Sequence, residues 1–261
     1  MDANAMSVDS VCTCKACDHD FARDCTECTC CSRDTHSMVL DGMTYDKPVK
    51  IPAGNVTLEG DLRQGSRRAI VLFAHGSGSS RHSPRNMYVA DVLQKAGLGT
   101  LLFDLLTRDE ERVDEQTAHL RFDIGLLAGR LAAATEWLAE RASGAKIGYF
   151  GASTGAAAAL VAAAKNQDMV TAVVSRGGRP DLAGQYLKEV RAPTLLIVGG
   201  NDQPVIGMNQ EALDKLRIKD KRLDIVPGAT HLFDEPGTLE EAASLASSWF
   251  ECYLHGKLDN A

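Results

Sequence analysis

A chain of 261 residues, 44% hydrophobic and 24% charged, has the size and make-up of one large globular domain with a small appendage. Its formal net charge of −7 argues against a nucleic-acid partner, which needs a clustered basic surface, but leaves small anionic substrates open because one local arginine can outweigh a weak global field. The longest apolar run, Ala156–Ala164, is far short of the roughly 20 residues that cross a bilayer, and Met1–Ser10 has no apolar stretch of a secretory signal, so a cytoplasmic protein without a membrane anchor is expected.

Residues 1–40 form a cysteine-rich, acidic segment with little to bury, distinct from a large domain over 41–261. Seven of the eight cysteines lie here, as Cys12, Cys14, Cys17, Cys25, Cys28, Cys30 and Cys31; only Cys252 lies elsewhere. The large domain therefore has no cysteine pair of its own, as a reducing compartment would allow. The pairs Cys14/Cys17 and Cys25/Cys28 can each bite one tetrahedral ion, although the seven residues between them are few for a zinc ribbon. A structural zinc, or an iron–sulfur cluster in its place, is one reading of this head, and a tail that binds nothing is the other.

Residues 41–66 lead through Val49-Lys-Ile51 into Asn55–Leu62, where polar and apolar residues alternate as in a strand pair. From Ala69 the pattern becomes short apolar runs at 69–74, 100–103, 146–150, 170–174, 194–198 and 222–226. Continuous apolar runs are what strands covered on both faces require. Helix-length stretches at 86–96, 122–141, 154–164, 209–216 and 239–254 separate them, and the stretch 122–141 carries Leu126, Leu127, Leu131, Trp137 and Leu138 along one stripe. This alternation predicts an α/β fold with a doubly wound, mostly parallel sheet and helices on both faces.

Gly151-Ala-Ser-Thr-Gly155 matches G-x-S-x-G, immediately after the strand at 146–150 and before the helix at 154. A serine on such a turn is lifted from the end of the sheet and sits at a helix N-terminus, which favours developing negative charge. An alkyl hydroxyl needs a base, and the base needs an orienting carboxylate. Asp202 follows the strand at 194–198 and His231 follows the strand at 222–226, so all three groups fall at carboxyl ends of strands, in the order Ser, Asp, His. His231 is the only histidine between Ser153 and the C-terminal His255. Asp104, at the end of an earlier strand, is the fallback acid, and Asp234 is the other nearby carboxylate.

The strand at 69–74 runs into His75-Gly-Ser-Gly-Ser-Ser80, a loop able to aim a backbone N–H at an oxyanion. Ser77 is the expected donor, Gly78 the alternative, and Thr154 N–H the second donor. His75 is expected to bond to backbone. Arg81 and His82 are expected at the pocket rim with Arg85 and Asn86. Arg176, past the strand at 170–174, holds either a substrate carboxylate or a surface ion pair.

These segments carry a resemblance. His75–Asn86, Leu101–Thr107, Gly148–Gly155 and Pro227–Phe233 resemble the dienelactone-hydrolase-related branch of the α/β-hydrolases over about residues 45–255. The resemblance implies hydrolysis of an ester or lactone with Ser153, Asp202 and His231 in the matching motifs; the triad chemistry itself calls for no cofactor. The namesake enzymes use a cysteine nucleophile where this elbow has serine, so a general carboxylesterase is the closer expectation. Some members are fused to a phosphoribosyltransferase domain, and none is expected among these residues. The expected partner is a small-molecule ester, lactone or thioester. The competing reading is a metal-binding sensor or interaction protein on a catalytically idle hydrolase scaffold.

Overall fold

The computed structural model describes residues 47–66 and 68–254, together with the backbone pairing of two short strands, Thr13–Cys14 and His19–Asp20. The side chains of the seven head cysteines, and with them the expected zinc, lie outside the described residues. No described helix is long and apolar enough to cross a membrane.

The large sheet begins with an antiparallel hairpin, β1 (Lys47–Ala53) and β2 (Val56–Arg63), closed by a two-residue turn in which Gly54 takes a φ of +66°. Six further strands follow: β3 (Ala69–Ala74), β4 (Gly99–Phe103), β5 (Lys146–Ala152), β6 (Val170–Arg176), β7 (Thr194–Gly199) and β8 (Lys221–Val226). They assemble in the order β8-β7-β6-β5-β3-β4-β2-β1, parallel throughout except where β2 pairs with β1 and β4. Every residue of β3, β4 and β7 is buried, as the unbroken apolar runs demand.

Helices α1 (Pro84–Lys95) and α6 (Thr238–Leu254) cover one face, where Val89, Leu93, Trp249 and Phe250 pack on Val71, Phe73 and Phe150. Helices α3 (Ile124–Arg141), α4 (Thr154–Lys165) and α5 (Gln203–Lys215) cover the other. The alanines of α4 let it lie flat against its neighbours, and Thr154–Ala164 is buried throughout. On α3 the apolar stripe is present, but Arg130 is buried beside it. Its guanidinium donates to Ala53 O and to Glu110 Oε1, each at 2.7 Å, which offsets the desolvation.

Two α-helices depart from the sequence expectation by more than two residues. Helix α5 starts at Gln203 rather than Asn209, because Pro204 sits in the first turn where a missing N–H costs nothing. Helix α2 (Arg108–Thr117) was not expected. It has almost no apolar face, and a capping box starts it: Thr107 Oγ1 accepts from Glu110 N–H while Glu110 Oε2 accepts from Thr107 N–H.

Candidate active site

Ser153 occupies the turn from β5 into α4 with φ 51° and ψ −121°, a conformation that an L-residue adopts only under constraint. The flanking glycines show the constraint. A Cβ on Gly155 would lie 2.1 Å from Ala74 O, and one on Gly151 would lie 2.4 Å from Ala156 Cα. Ser153 N–H donates to Arg176 O at 3.4 Å, and Ser153 O accepts from Arg179 N–H at 3.1 Å, so β6 and its loop hold the turn from the side.

Asp202 is the N-cap residue of α5 but makes no side-chain cap bond. Its carboxylate turns instead to His231, whose Nδ1–H donates to Asp202 Oδ2 at 2.6 Å. A carboxylate at Nδ1 fixes the proton there and leaves Nε2 as an acceptor. Gly177, with a φ of +51°, is the spacer beside this imidazole: a Cβ there would lie 3.0 Å from His231 O and 3.7 Å from Cε1. Among the described residues Ser153 Oγ makes no hydrogen bond to His231. Such contacts are often long without substrate and tighten when it binds.

The loop after β3 passes close above the serine, since a Cβ on Gly76 would lie 3.0 Å from Ser153 Cβ. Ser77 Oγ and Thr154 Oγ1 are 2.9 Å apart and share a hydrogen bond, which brings the loop and the first residue of α4 side by side. Among the described residues the backbone N–H groups of Ser77, Gly78 and Thr154 have no acceptor. Next to them is a cavity of about 300 Å³, lined in part by Gly76–Ser79, Thr154, Leu105, Leu127, Glu111, Asp114, Glu115 and Arg121.

His75 fulfils its expected structural role. Its Nδ1–H donates to Gly76 O, and its Nε2 accepts from Leu105 N–H, each at 3.0 Å, so it ties the loop after β3 to the loop after β4. Burial holds its pKa below the ordinary value despite the Gly76 carbonyl and Asp104.

The expected rim residues are placed differently. Arg81 is not free to meet a substrate: it pairs with Asp104, with Asp61 at 3.2 Å and with Glu59 at 3.2 Å, and its N–H donates to Asp104 Oδ1. The same cluster removes Asp104 as an alternative acid. His82 is exposed and does not line the cavity. Asp234 pairs with Arg85 at 3.1 Å. Arg176 is only 6% exposed, so it forms no surface ion pair; its guanidinium lies over the Phe233 ring at 5.5 Å and reaches Leu232 O at 3.5 Å. Burial, and then Arg85, lowers its pKa to about 10 against the pull of Asp234. Sequence reasoning missed the Ser77–Thr154 hydroxyl pair and the acidic wall on α2. The Thr107-x-x-Glu110 box was the signal for the latter.

Among the described residues no group of three or more His, Cys, Asp or Glu side chains is arranged to hold a metal. The sequence model of the dienelactone hydrolase family matches residues 61–253. A dienelactone hydrolase from Anabaena variabilis is 61% identical, and the match covers 80% of this chain and 97% of that one with a TM-score of 0.78. A candidate phosphoribosyl transferase of Mycobacterium tuberculosis, found in two strains, is 58% identical over 214 residues, which is 81% of this chain and 47% of theirs. The chain thus spans about half the length of these curated relatives. An esterase of Pyrococcus furiosus, 19% identical, shares the fold at a TM-score of 0.66 over 85% of this chain and 99% of its own. On the family match and the 61% identity, this chain belongs to the dienelactone hydrolase family of α/β-hydrolases.

Proposed function

We propose that the chain is a serine hydrolase that opens a carboxylic ester, lactone or thioester of a small molecule through an acyl-enzyme on Ser153. The observation that carries this reading is the strained turn at Ser153 facing the same end of the sheet as the 2.6 Å His231–Asp202 pair. His231 Nε2 takes the Ser153 proton as Oγ attacks the carbonyl carbon, and Asp202 holds the imidazole tautomer and stabilises the imidazolium. The carbonyl oxygen becomes an oxyanion between the N–H groups of Ser77 and Thr154, donors that have no acceptor among the described residues. The imidazolium returns its proton to the leaving alcohol or thiol. Water, deprotonated by the same imidazole, then releases the acid and frees Ser153. Each step uses side chains and backbone alone. For this stretch, the family match favours hydrolysis over phosphoribosyl transfer.

The test is a panel of p-nitrophenyl esters of increasing chain length, run beside fluorophosphonate labelling. Wild type is expected to turn over short esters and to label once, and Ser153→Ala to do neither. Wild type that neither labels nor hydrolyses would leave the idle scaffold as the better account.

A further inference from the structure

Three basic residues offered affinity for an anionic substrate, and none of them faces the cavity beside the oxyanion donors. Arg81 is bound by three carboxylates, His82 lies outside the lining, and Arg176 is buried over Phe233. Among the described residues Arg121 is the one arginine or lysine in the lining, and Asp114 already holds it through Nε at 2.5 Å and through its backbone N–H at 3.0 Å.

The acidic side is not balanced in the same way. Asp104 and Asp114 are paired with Arg81 and Arg121, but among the described residues Glu111 and Glu115 have no cationic partner. Both project from α2, which is anchored from behind by Glu110 on Arg130. The anchor holds that wall across from Gly76–Ser79 and Thr154, so a substrate whose carbonyl oxygen meets Ser77 and Thr154 N–H extends past two uncompensated carboxylates.

Resting on the serine-hydrolase reading above, we propose that Glu111 and Glu115 are specificity-determining residues that select esters with a positively charged group, such as a quaternary ammonium, and reject those with a carboxylate. The field in the cavity is consistent with this: burial, then Asp104, Glu115 and Asp114, push the Glu111 carboxyl above its ordinary value. Glu111 and Glu115 are both solvent-exposed, so water and salt screen them in part, and two such charges facing a substrate charge change the specificity constant by about tenfold at low salt.

The experiment compares p-nitrophenyl esters of 4-trimethylammoniobutyrate, its neutral isostere 5,5-dimethylhexanoate, and the glutarate hemiester, at about pH 8 where carboxylates are ionised. Butyrylcholine against 3,3-dimethylbutyl butyrate probes the alcohol side. Each kcat/KM is divided by the ester's alkaline hydrolysis rate. In wild type, the expected result is a preference of about tenfold for the cationic over the neutral member in one of the two pairs, and a similar penalty for the glutarate hemiester. The preference should shrink to within about twofold in the Glu111→Gln/Glu115→Gln variant, and in wild type between about 0.05 M and 0.5 M salt. Equal or faster turnover of the anionic ester, or a preference that persists in the double variant and at high salt, overturns the charge selection while leaving Ser153 chemistry standing. If the neutral esters are not cleaved in a Ser153-dependent way, the serine-hydrolase reading fails and this inference fails with it.

Discussion

Ser153 and Gly184 share one backbone conformation, φ 51°, ψ −121° at the serine and φ 55°, ψ −126° at the glycine. At Gly184 the chain uses the residue that tolerates these angles; at Ser153 it does not. A non-glycine residue held there costs about 1–3 kcal/mol. Replacing the serine by glycine recovers that strain, less the roughly 0.5–1 kcal/mol that glycine loses through the freedom of its unfolded state. Ser153→Gly should therefore be more stable than Ser153→Ala by about 1–2 kcal/mol, against the usual order of the two residues, or roughly 3–6 °C in Tm for a domain of this size. Gly184→Ala is the matched control. No atom lies within 4 Å of its added Cβ, so the substitution isolates the strain and should cost about 1–2 kcal/mol with no steric part. Urea and thermal unfolding of the three variants decide the matter. A Ser153→Gly protein that melts at or below Ser153→Ala would refute the idea that the elbow stores strain.

Gly155→Ala places a Cβ 2.1 Å from Ala74 O, against backbone that cannot give way, and should lose about 3 kcal/mol or more of stability in urea unfolding together with fluorophosphonate labelling. If the loop after β3 supplies the oxyanion donor as proposed, Arg81 acts by fixing that loop, and Arg81→Ala should lower kcat by about 10–100-fold with KM changed little. A double-mutant cycle with Asp104→Asn should show coupling between the two residues, and additive losses would contradict the clamp. For His75, the folded-state pKa lies below the ordinary 6.5, so the unfolded chain binds a proton that the folded form refuses. The stability it contributes is present above 6.5 and is lost as pH falls below that value. His75→Gln should flatten this part of the stability–pH curve, and an unchanged slope would remove His75 as its source.

What could be read from the sequence was what is local. The strands at 69–74 and 194–198 carry burial in their own composition, and the positions of the elbow, Asp202 and His231 follow from where the strands at 146–150, 194–198 and 222–226 stop. Helix α2 was not legible by hydrophobic period because Arg108–Thr117 has scarcely any apolar face; capping and a few ion pairs hold it. The N-terminal half of α5 was hidden for a related reason, since Pro204 and Gly207 interrupt the pattern without ending the helix. Arg81 looked like a rim residue because nothing near it in sequence announces Glu59, Asp61 and Asp104, which arrive from β2 and the end of β4. Long-range charge pairing of this kind leaves no periodic trace. The same blindness left Arg176 open between a substrate clamp and a surface ion pair, whereas β6 ends against the loop that carries His231 and buries Arg176 there.

The most direct test of the account is a crystal structure of the wild-type chain after reaction with a short alkyl fluorophosphonate. The account predicts a bond from phosphorus to Ser153 Oγ, the phosphoryl oxygen about 2.7–3.1 Å from the Ser77 and Thr154 nitrogens, and His231 Nε2 within about 3.2 Å of the ester oxygen on Ser153. An adduct on another residue, or an imidazole that stays out of reach of Ser153 once the adduct has formed, would contradict it.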